Sequence, residues 1–157
     1  MGRMRTVVLG GLLAGFLDIT YAILLFGFRS HVPAIRIGQG IASHLVGLSS
    51  FNGGWATAAL GFGLHFTIAV IMALAFYAIC TMVPAIARHA LAVAPVYGII
   101  LFAVMTYIVL PMTDPRHGPA PLFPPAIDFS LFSALFAHIV LVAFTIAWMT
   151  KRALRES

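Results

Sequence analysis

Charged residues are scarce in this chain. Of its 157 residues only 8% are charged, whereas 62% are hydrophobic. Soluble domains carry about 25% charged residues, so a chain this poor in charge is not built to face water on every side. The nine basic residues give a net charge of +5, but they fall in short clusters between apolar runs. Because no basic, aromatic-rich face is formed, nucleic acid is not expected as a partner.

Cysteine is nearly absent, and so are the signatures of common enzymes. The single cysteine, Cys80, lies inside an apolar run, so neither an intramolecular disulfide nor a thiolate metal cluster is expected. The chain has no GxSxG elbow, no HExxH helix and no phosphate-binding glycine loop. These absences favour a protein that is not an enzyme, and no catalytic residue is predicted.

Long apolar runs are what the chain has instead. About 20 apolar residues of helix cross the hydrocarbon core of a bilayer. Four runs reach that length, over residues 6–28, 55–83, 90–110 and 126–150. Backbone amides inside lipid must bond within their own segment, so each run is predicted to be a helix. The sequence therefore predicts one all-α domain over residues 1–157, an integral membrane bundle of four transmembrane helices whose first partner is the lipid bilayer.

The basic residues predict the orientation of these spans. Three of them fall on one side of the spans, namely Arg29, Arg36 and Arg116. Six fall on the other side, namely Arg3, Arg5, Arg88, Lys151, Arg152 and Arg155. Since Lys and Arg are enriched in cytoplasmic loops, both termini are predicted to be cytoplasmic.

Both long connections then fall on the outer side. Pro33 is placed to open a short helix that reaches about Leu48, in which Ile37, Ile41 and Leu45 share one face. This pattern predicts an interfacial amphipathic helix between helices one and two. The second outer connection, residues 111–125, holds six of the nine prolines, which predicts stiff, extended backbone.

Three ionisable residues fall in the middle of the predicted spans: Asp18, His65 and His138. A charge at this depth costs a few kcal/mol, so such residues are expected to face other helices. At 1.5 Å per residue all three lie roughly 15 to 18 Å from the outer ends of their helices. Small residues, typical of close helix packing, precede them by one or two turns, namely Gly11, Gly15, Ala58, Gly61 and Ala134. An intramembrane polar cluster is predicted, and His44 is a candidate to extend it outward.

The cluster admits three interpretations. As structural glue, Asp18 would pair with Thr20, Tyr21 or a backbone amide, and each histidine would donate to a nearby carbonyl. As a relay, Asp18 and a histidine would share a proton in a conducting oligomer. As a cofactor site, His65 and His138 would be the axial ligands of a haem in an electron carrier. The leading hypothesis is a non-enzymatic accessory or structural membrane protein in a larger complex or homo-oligomer.

Other polar residues are expected to have simpler roles. His31, His89 and His117 fall in predicted loops and are expected to be solvated. In the proline-rich loop, Asp114, Arg116 and His117 are expected to keep the loop solvated, and the alternative is that they gate an outer mouth. Asp128 is expected to neutralise the positive N-terminal end of helix four. Three aromatic residues near helix ends are expected to be interfacial anchors, namely Trp55, Tyr107 and Trp148.

Three stretches carry a resemblance to a known group. They are residues 10–18 (GGLLAGFLD), residues 60–66 (LGFGLHF) and residues 96–100 (VYGII). In these glycine-rich helix starts and single intramembrane ionisable residues, the chain resembles the small polytopic inner-membrane proteins of bacteria known as the YagU-like group. The resemblance implies a bacterial inner-membrane location and lends no mechanism, because that group is itself uncharacterised.

Overall fold

The computed structural model describes residues 2–116, 123 and 125–156, and all regular structure among them is helical. The helices, in chain order, are α1 (Arg3–Ser30), α2 (Ala34–Val46), α3 (Gly54–Met82), α4 (Pro84–Arg88), α5 (Ala90–Thr113) and α6 (Phe129–Arg155). Four of them, α1, α3, α5 and α6, contain 24 to 29 residues and are apolar enough to cross a membrane. The all-α prediction with four such helices is confirmed.

The ends of α6 differ from the sequence expectation for physical reasons. The helix begins at Phe129 rather than at Ala126, because the Asp128 side chain caps it by accepting a hydrogen bond of 3.0 Å from the Leu131 amide. It continues to Arg155 rather than to residue 150, and basic side chains in its last turn complement the negative end of the helix dipole. Asp128 thus lies at the helix start, as the sequence predicts.

Two of the long helices contain a wider turn. A π-helical turn spans Met105–Val109 in α5, and a longer one spans Ala137–Ala143 in α6. In such a turn the backbone bonds reach five residues ahead instead of four, so the side chains that follow are rotated relative to a regular helix. Both turns bear directly on the candidate site described below.

Glycine allows α1 to approach α3 closely. A Cβ atom added to Gly11 would lie 2.6 Å from the Val70 Cα atom, and one added to Gly15 would lie 3.0 Å from the Ala69 Cβ atom. Such contacts require glycine, because any side chain would push the two backbones apart. The small residues predicted to mark helix contacts before Asp18 therefore do face another helix.

The short helix α2 packs on α3 in the same way. A Cβ atom on Gly38 would lie 2.7 Å from the Ala58 carbonyl oxygen, and one on Gly61 would overlap the carbonyl oxygen of Gly38. Polar bonds add to this contact, since the Gln39 side-chain amide donates to the Gly54 carbonyl at 3.1 Å. The helix predicted from Pro33 to about Leu48 is α2, which ends at Val46. Gly47 caps it with a φ of 77°, and a 3₁₀ turn over Leu48–Asn52 follows.

Close contacts also join α6 to α5 and to α1. A Cβ atom on Gly98 would lie 2.7 Å from the Ile139 Cα atom and 2.8 Å from the His138 carbonyl oxygen, so α5 presses on the π-helical turn of α6. Near the chain ends the Thr6 hydroxyl donates to Glu156 Oε2 at 2.8 Å. The ends of α1 and α6 are therefore held together.

Candidate functional site

A cavity of about 700 Å³ lies between α1, α2, α3, α5 and α6, and we call it the chamber. Asp18, His65 and His138 all line it, and so does His44. Most of the remaining lining is apolar, including Phe26, Ile37, Ile41, Phe51, Leu64, Ile68, Met72, Met105 and Val142. Apolar cavities of about 300 to 1,000 Å³ that hold a few converging polar groups are typical of small-molecule sites.

The inner end of the chamber holds Asp18 and His65. His65 Nε2 donates to the Gly15 carbonyl oxygen at 2.9 Å and lies 3.8 Å from Asp18 Oδ2. The second distance is too long for a hydrogen bond. Both side chains remain partly exposed, His65 by 17% and Asp18 by 26%, and both line the chamber. Asp18 and His65 therefore face each other across a short gap.

The Asp18 carboxylate has unmet hydrogen-bonding capacity. Among residues 2–116, 123 and 125–156, no donor makes a hydrogen bond to it, and its one ion-pair contact is with His65 Nε2 at 3.8 Å. A carboxylate has about four acceptor positions, and in low-dielectric surroundings leaving them empty is costly. The Asp18 oxygens are thus placed to accept a donor that enters the chamber.

His138 reaches the chamber from α6. It lies in the π-helical turn Ala137–Ala143, and its Nδ1 donates to the Ala134 carbonyl oxygen at 2.8 Å. The Phe102 ring meets the imidazole edge-on, with ring centroids 5.8 Å apart. In the neutral tautomer set by the bond to Ala134, Nε2 is an acceptor. His138 therefore adds a second acceptor to the lining.

Of the structural pairings expected from the sequence, those of His65 and His138 are present, and that of Asp18 with Tyr21 is not. Each histidine donates to a nearby backbone carbonyl, as the structural interpretation predicts. The Tyr21 hydroxyl, in contrast, bonds to the Ser133 hydroxyl at 2.9 Å and not to Asp18. Asp18 is therefore not held by the tyrosine that the sequence offered as a partner.

The outer end of the chamber is polar as well. His44 Nδ1 and the Thr113 hydroxyl lie 2.9 Å apart, and both residues line the chamber with Asp114 and Arg116. Asp114 Oδ1 accepts a 2.9 Å bond from the Arg116 amide. Asp114 and Arg116 thus contribute to the chamber as well as to the loop in which the sequence places them. Thr113 was not predicted, because its partner lies 69 residues away and no local pattern marks it.

Both π-helical turns border the chamber. Met105 and Val109 belong to the turn in α5, and His138 and Val142 belong to the turn in α6. Such turns occur frequently at functional sites because they change the direction of side chains locally. This coincidence supports the chamber as the functional site.

Of the remaining histidines, the structure describes His31 and His89, and neither lines the chamber. His31 follows the last turn of α1 with a φ of 52°, and His89 lies between α4 and α5. The expectation for His117 falls outside the described residues. In the described part of the chain, no group of three or more His, Cys, Asp or Glu side chains is placed to hold a metal ion. For a haem, His138 would offer Nε2, whereas His65 would offer Nδ1 because its Nε2 is bonded to Gly15.

No family model matches the chain, and no curated protein or solved structure matches it either. The resemblance to the YagU-like group therefore rests on the three sequence stretches alone. Function must be argued from the chamber itself.

Proposed function

We propose that the chain is a non-enzymatic protein of the bacterial inner membrane, in which α1, α3, α5 and α6 form a four-helix transmembrane bundle with cytoplasmic termini. The basic residues support this orientation, six on the side of the termini against three on the other. Two of those three are engaged locally, since Arg29 lies over the Phe129 ring at 4.2 Å and Arg36 donates to the Phe51 carbonyl at 3.0 Å. The amphipathic α2 then lies at the outer interface, where its exposed Leu45 and Val46 meet lipid.

Within this arrangement, the chamber binds a small and mainly apolar molecule that carries a positively charged or hydrogen-bond-donating group. The observation that carries the proposal is the Asp18 carboxylate, which opens onto apolar walls without a hydrogen bond from the described residues. An amine or a similar donor placed beside it would supply the missing bonds. The apolar part of the ligand would then lie against the aliphatic walls toward His44 and Thr113.

The core beneath the chamber favours binding over conduction by a single chain. Met72 and Val142 line the inner end, and the Tyr97 hydroxyl donates to the Met72 carbonyl at 2.8 Å. Phe76 and Tyr97 pack against each other with ring centroids 4.8 Å apart and belong to the buried core. This packed core lies next to Met72 of the lining, which supports a chamber that holds a molecule over an open path through a single chain. In a larger complex or homo-oligomer, such a protein would store or present its ligand.

The test compares three eight-carbon probes, octylamine, octanol and octanoate, by thermal unfolding of the protein in lipid nanodiscs. The probes share one tail, so their differences report the head group. Octylamine is expected to raise the unfolding temperature most, because its amine can supply the bonds that the Asp18 carboxylate lacks. A ligand at about tenfold its Kd adds roughly 1.4 kcal/mol to the free energy of unfolding. The excess effect of octylamine over octanol is expected to disappear in Asp18→Asn.

Asp128→Asn is the matched control, since it removes a carboxylate at the start of α6, outside the chamber lining, and leaves a residue that also caps helices well. This variant is expected to keep the preference for octylamine. Equal effects of octylamine and octanol on the unmodified protein would refute the proposal, and so would a preference that survives in Asp18→Asn.

A haem-binding electron carrier is the second candidate, because His65 and His138 line one cavity. An absorption spectrum of the purified protein separates the two candidates. A Soret band that is present in the unmodified protein and lost in both His65→Ala and His138→Ala would identify haem, and not the amphiphile, as the ligand of the chamber. A pH-dependent ion flux in liposomes would instead support a conducting oligomer.

A further inference from the structure

A second pocket lies at the opposite end of the molecule from the chamber. It has a volume of about 350 Å³ and is lined by Leu91, Trp148, Lys151, Arg152 and Arg155. Leu91 belongs to the first turn of α5. The other four residues lie on α6, where Lys151, Arg152 and Arg155 follow Trp148 by three, four and seven positions. Such spacings place side chains on one face of a helix. We call this site the basic pocket.

The basic pocket carries an excess of positive charge. Arg152 Nε lies 3.7 Å from Glu156 Oε1, and the other oxygen of Glu156 accepts the bond from Thr6. Lys151 and Arg155, in contrast, take part in no ion pair with any residue the structure describes. Among the described residues, two cations of this concave site are therefore left without an ion-pair partner.

Apolar groups adjoin these cations on the side of the membrane core. Trp148 is 53% exposed and Leu91 is exposed beside it. Trp148 precedes Arg155 by seven residues, so the two lie about 10 Å apart along the helix axis. Tryptophan prefers the membrane interface, which places the basic side chains at the level of the lipid head groups and Trp148 with Leu91 nearer the acyl chains.

We propose that the basic pocket binds the phosphate head group of an anionic phospholipid in the leaflet on the side of the chain termini. Arg and Lys side chains donate several charge-assisted hydrogen bonds to phosphate oxygens. Basic pockets between transmembrane helices are known to hold such head groups. The neighbouring Leu91 and Trp148 fit the acyl chains, which a free phosphate ion lacks. The proposal is independent of the ligand of the chamber.

Tryptophan fluorescence provides a direct test. The chain contains two tryptophans, so Trp55→Phe leaves Trp148 as the reporter of the basic pocket. The variant is placed in phosphatidylcholine nanodiscs that contain a small fraction of brominated phosphatidylglycerol or brominated phosphatidylcholine, whose bromine atoms quench nearby tryptophan. Preferential binding is expected to favour the anionic lipid by about thirtyfold, as two basic residues near an anionic head group would provide.

In this background, Lys151→Gln with Arg155→Gln is expected to abolish that preference for the anionic lipid. The matched control is Arg3→Gln with Arg5→Gln, which removes two cations from the same end of the molecule but outside the pocket. The control is expected to keep the preference. An equal loss in both double variants would overturn the proposal, because it would show an effect of overall surface charge. Equal quenching by both brominated lipids before any substitution would overturn it as well.

Inorganic phosphate distinguishes the two sources of the ligand chemistry. Added at millimolar concentration, it is expected to leave the quenching by brominated phosphatidylglycerol unchanged, because it cannot replace the contacts of the acyl chains. Displacement of the lipid by phosphate would overturn the assignment to a phospholipid and identify a site for soluble phosphate.

Discussion

Gly61 occupies a position where no other residue fits. A Cβ atom there would overlap the carbonyl oxygen of Gly38, and the atom that would have to move belongs to the backbone. We expect Gly61→Ala to lower the free energy of unfolding by about 1 to 3 kcal/mol, the usual cost of overpacking. Denaturant unfolding of the purified protein in detergent micelles measures this loss.

Gly63 provides the control on the same helix. A Cβ atom on Gly63 would meet nothing within 4 Å. Because alanine favours helix over glycine by about 1 kcal/mol, Gly63→Ala is expected to leave stability unchanged or to raise it slightly. A loss of equal size in both variants would show that the α2–α3 contact is not the cause.

For individual residues, the sequence predicts which side chains are candidates for the functional site but not which atoms they contact. Asp18, His65 and His138 stand out because an ionisable group is costly at that depth. His65 bonds to a backbone carbonyl, that of Gly15. His44, the residue predicted to extend the cluster, contacts Thr113 on a different helix. Neither follows from spacing along one helix, because the spacing does not fix how each helix is rotated toward the others.

Among the helices, α2 depends most on a few polar bonds. The buried Ser50 hydroxyl donates to the Gln39 carbonyl at 2.9 Å and ties α2 to the turn that follows it. We expect Ser50→Ala to weaken this tie by about 1 kcal/mol, which corresponds to roughly fivefold faster amide exchange in α2 if the helix opens as a unit. Hydrogen exchange followed by mass spectrometry over residues 34–52 measures the change.

Ser49 is the neighbouring control. Its hydroxyl is exposed and bonds locally to the Val46 carbonyl at 3.1 Å. Ser49→Ala is expected to change exchange in α2 much less than Ser50→Ala does. If both variants exchange at the same rate, the buried bond does not hold the helix.

The sequence predicts the long helices better than the details within them. Apolar length alone indicates α1, α3, α5 and α6, because the backbone has no alternative to helix inside lipid. The π-helical turns were not predicted, and the one in α6 lies where Gly98 meets the backbone of His138 and Ile139. The short α4, which begins at Pro84, lies between the predicted spans 55–83 and 90–110, where no helix was predicted.

For the whole molecule, the proposed orientation can be tested by chemical labelling. Cys80 is buried, so Cys80→Ser leaves a background without cysteine in which single cysteines can be placed. Ser30→Cys, at the end of α1, is expected to react with a membrane-impermeant maleimide in intact cells. Arg88→Cys, between α3 and α5, is expected to react only after the cells are opened. Ser30 lies at one end of the membrane-length helices, and Arg88 lies at the other end.

The reverse labelling pattern would place the termini outside and would contradict the proposed orientation. Reaction at both sites in intact cells would mean that the membrane is not a barrier between them. Neither result would bear on the chamber ligand, which is tested in nanodiscs where both faces are accessible.

The number of spans follows from the sequence, but the chamber does not. Span length depends on local apolar content, whereas the chamber exists because α2 lies against α3 through Gly38 and Gly61 and because α6 brings His138 toward Asp18. These are contacts between distant parts of the chain. A pattern read along a single segment contains no information about them.

The bond between Thr6 and Glu156 joins residues 150 positions apart. During synthesis, α1 and α3 are made before α6 and can pack through Gly11 and Gly15 without it. His138, Trp148 and the basic residues of α6 follow later. Both the chamber and the basic pocket are therefore completed only after α6 has been made, and a ribosome-bound chain that lacks α6 possesses neither.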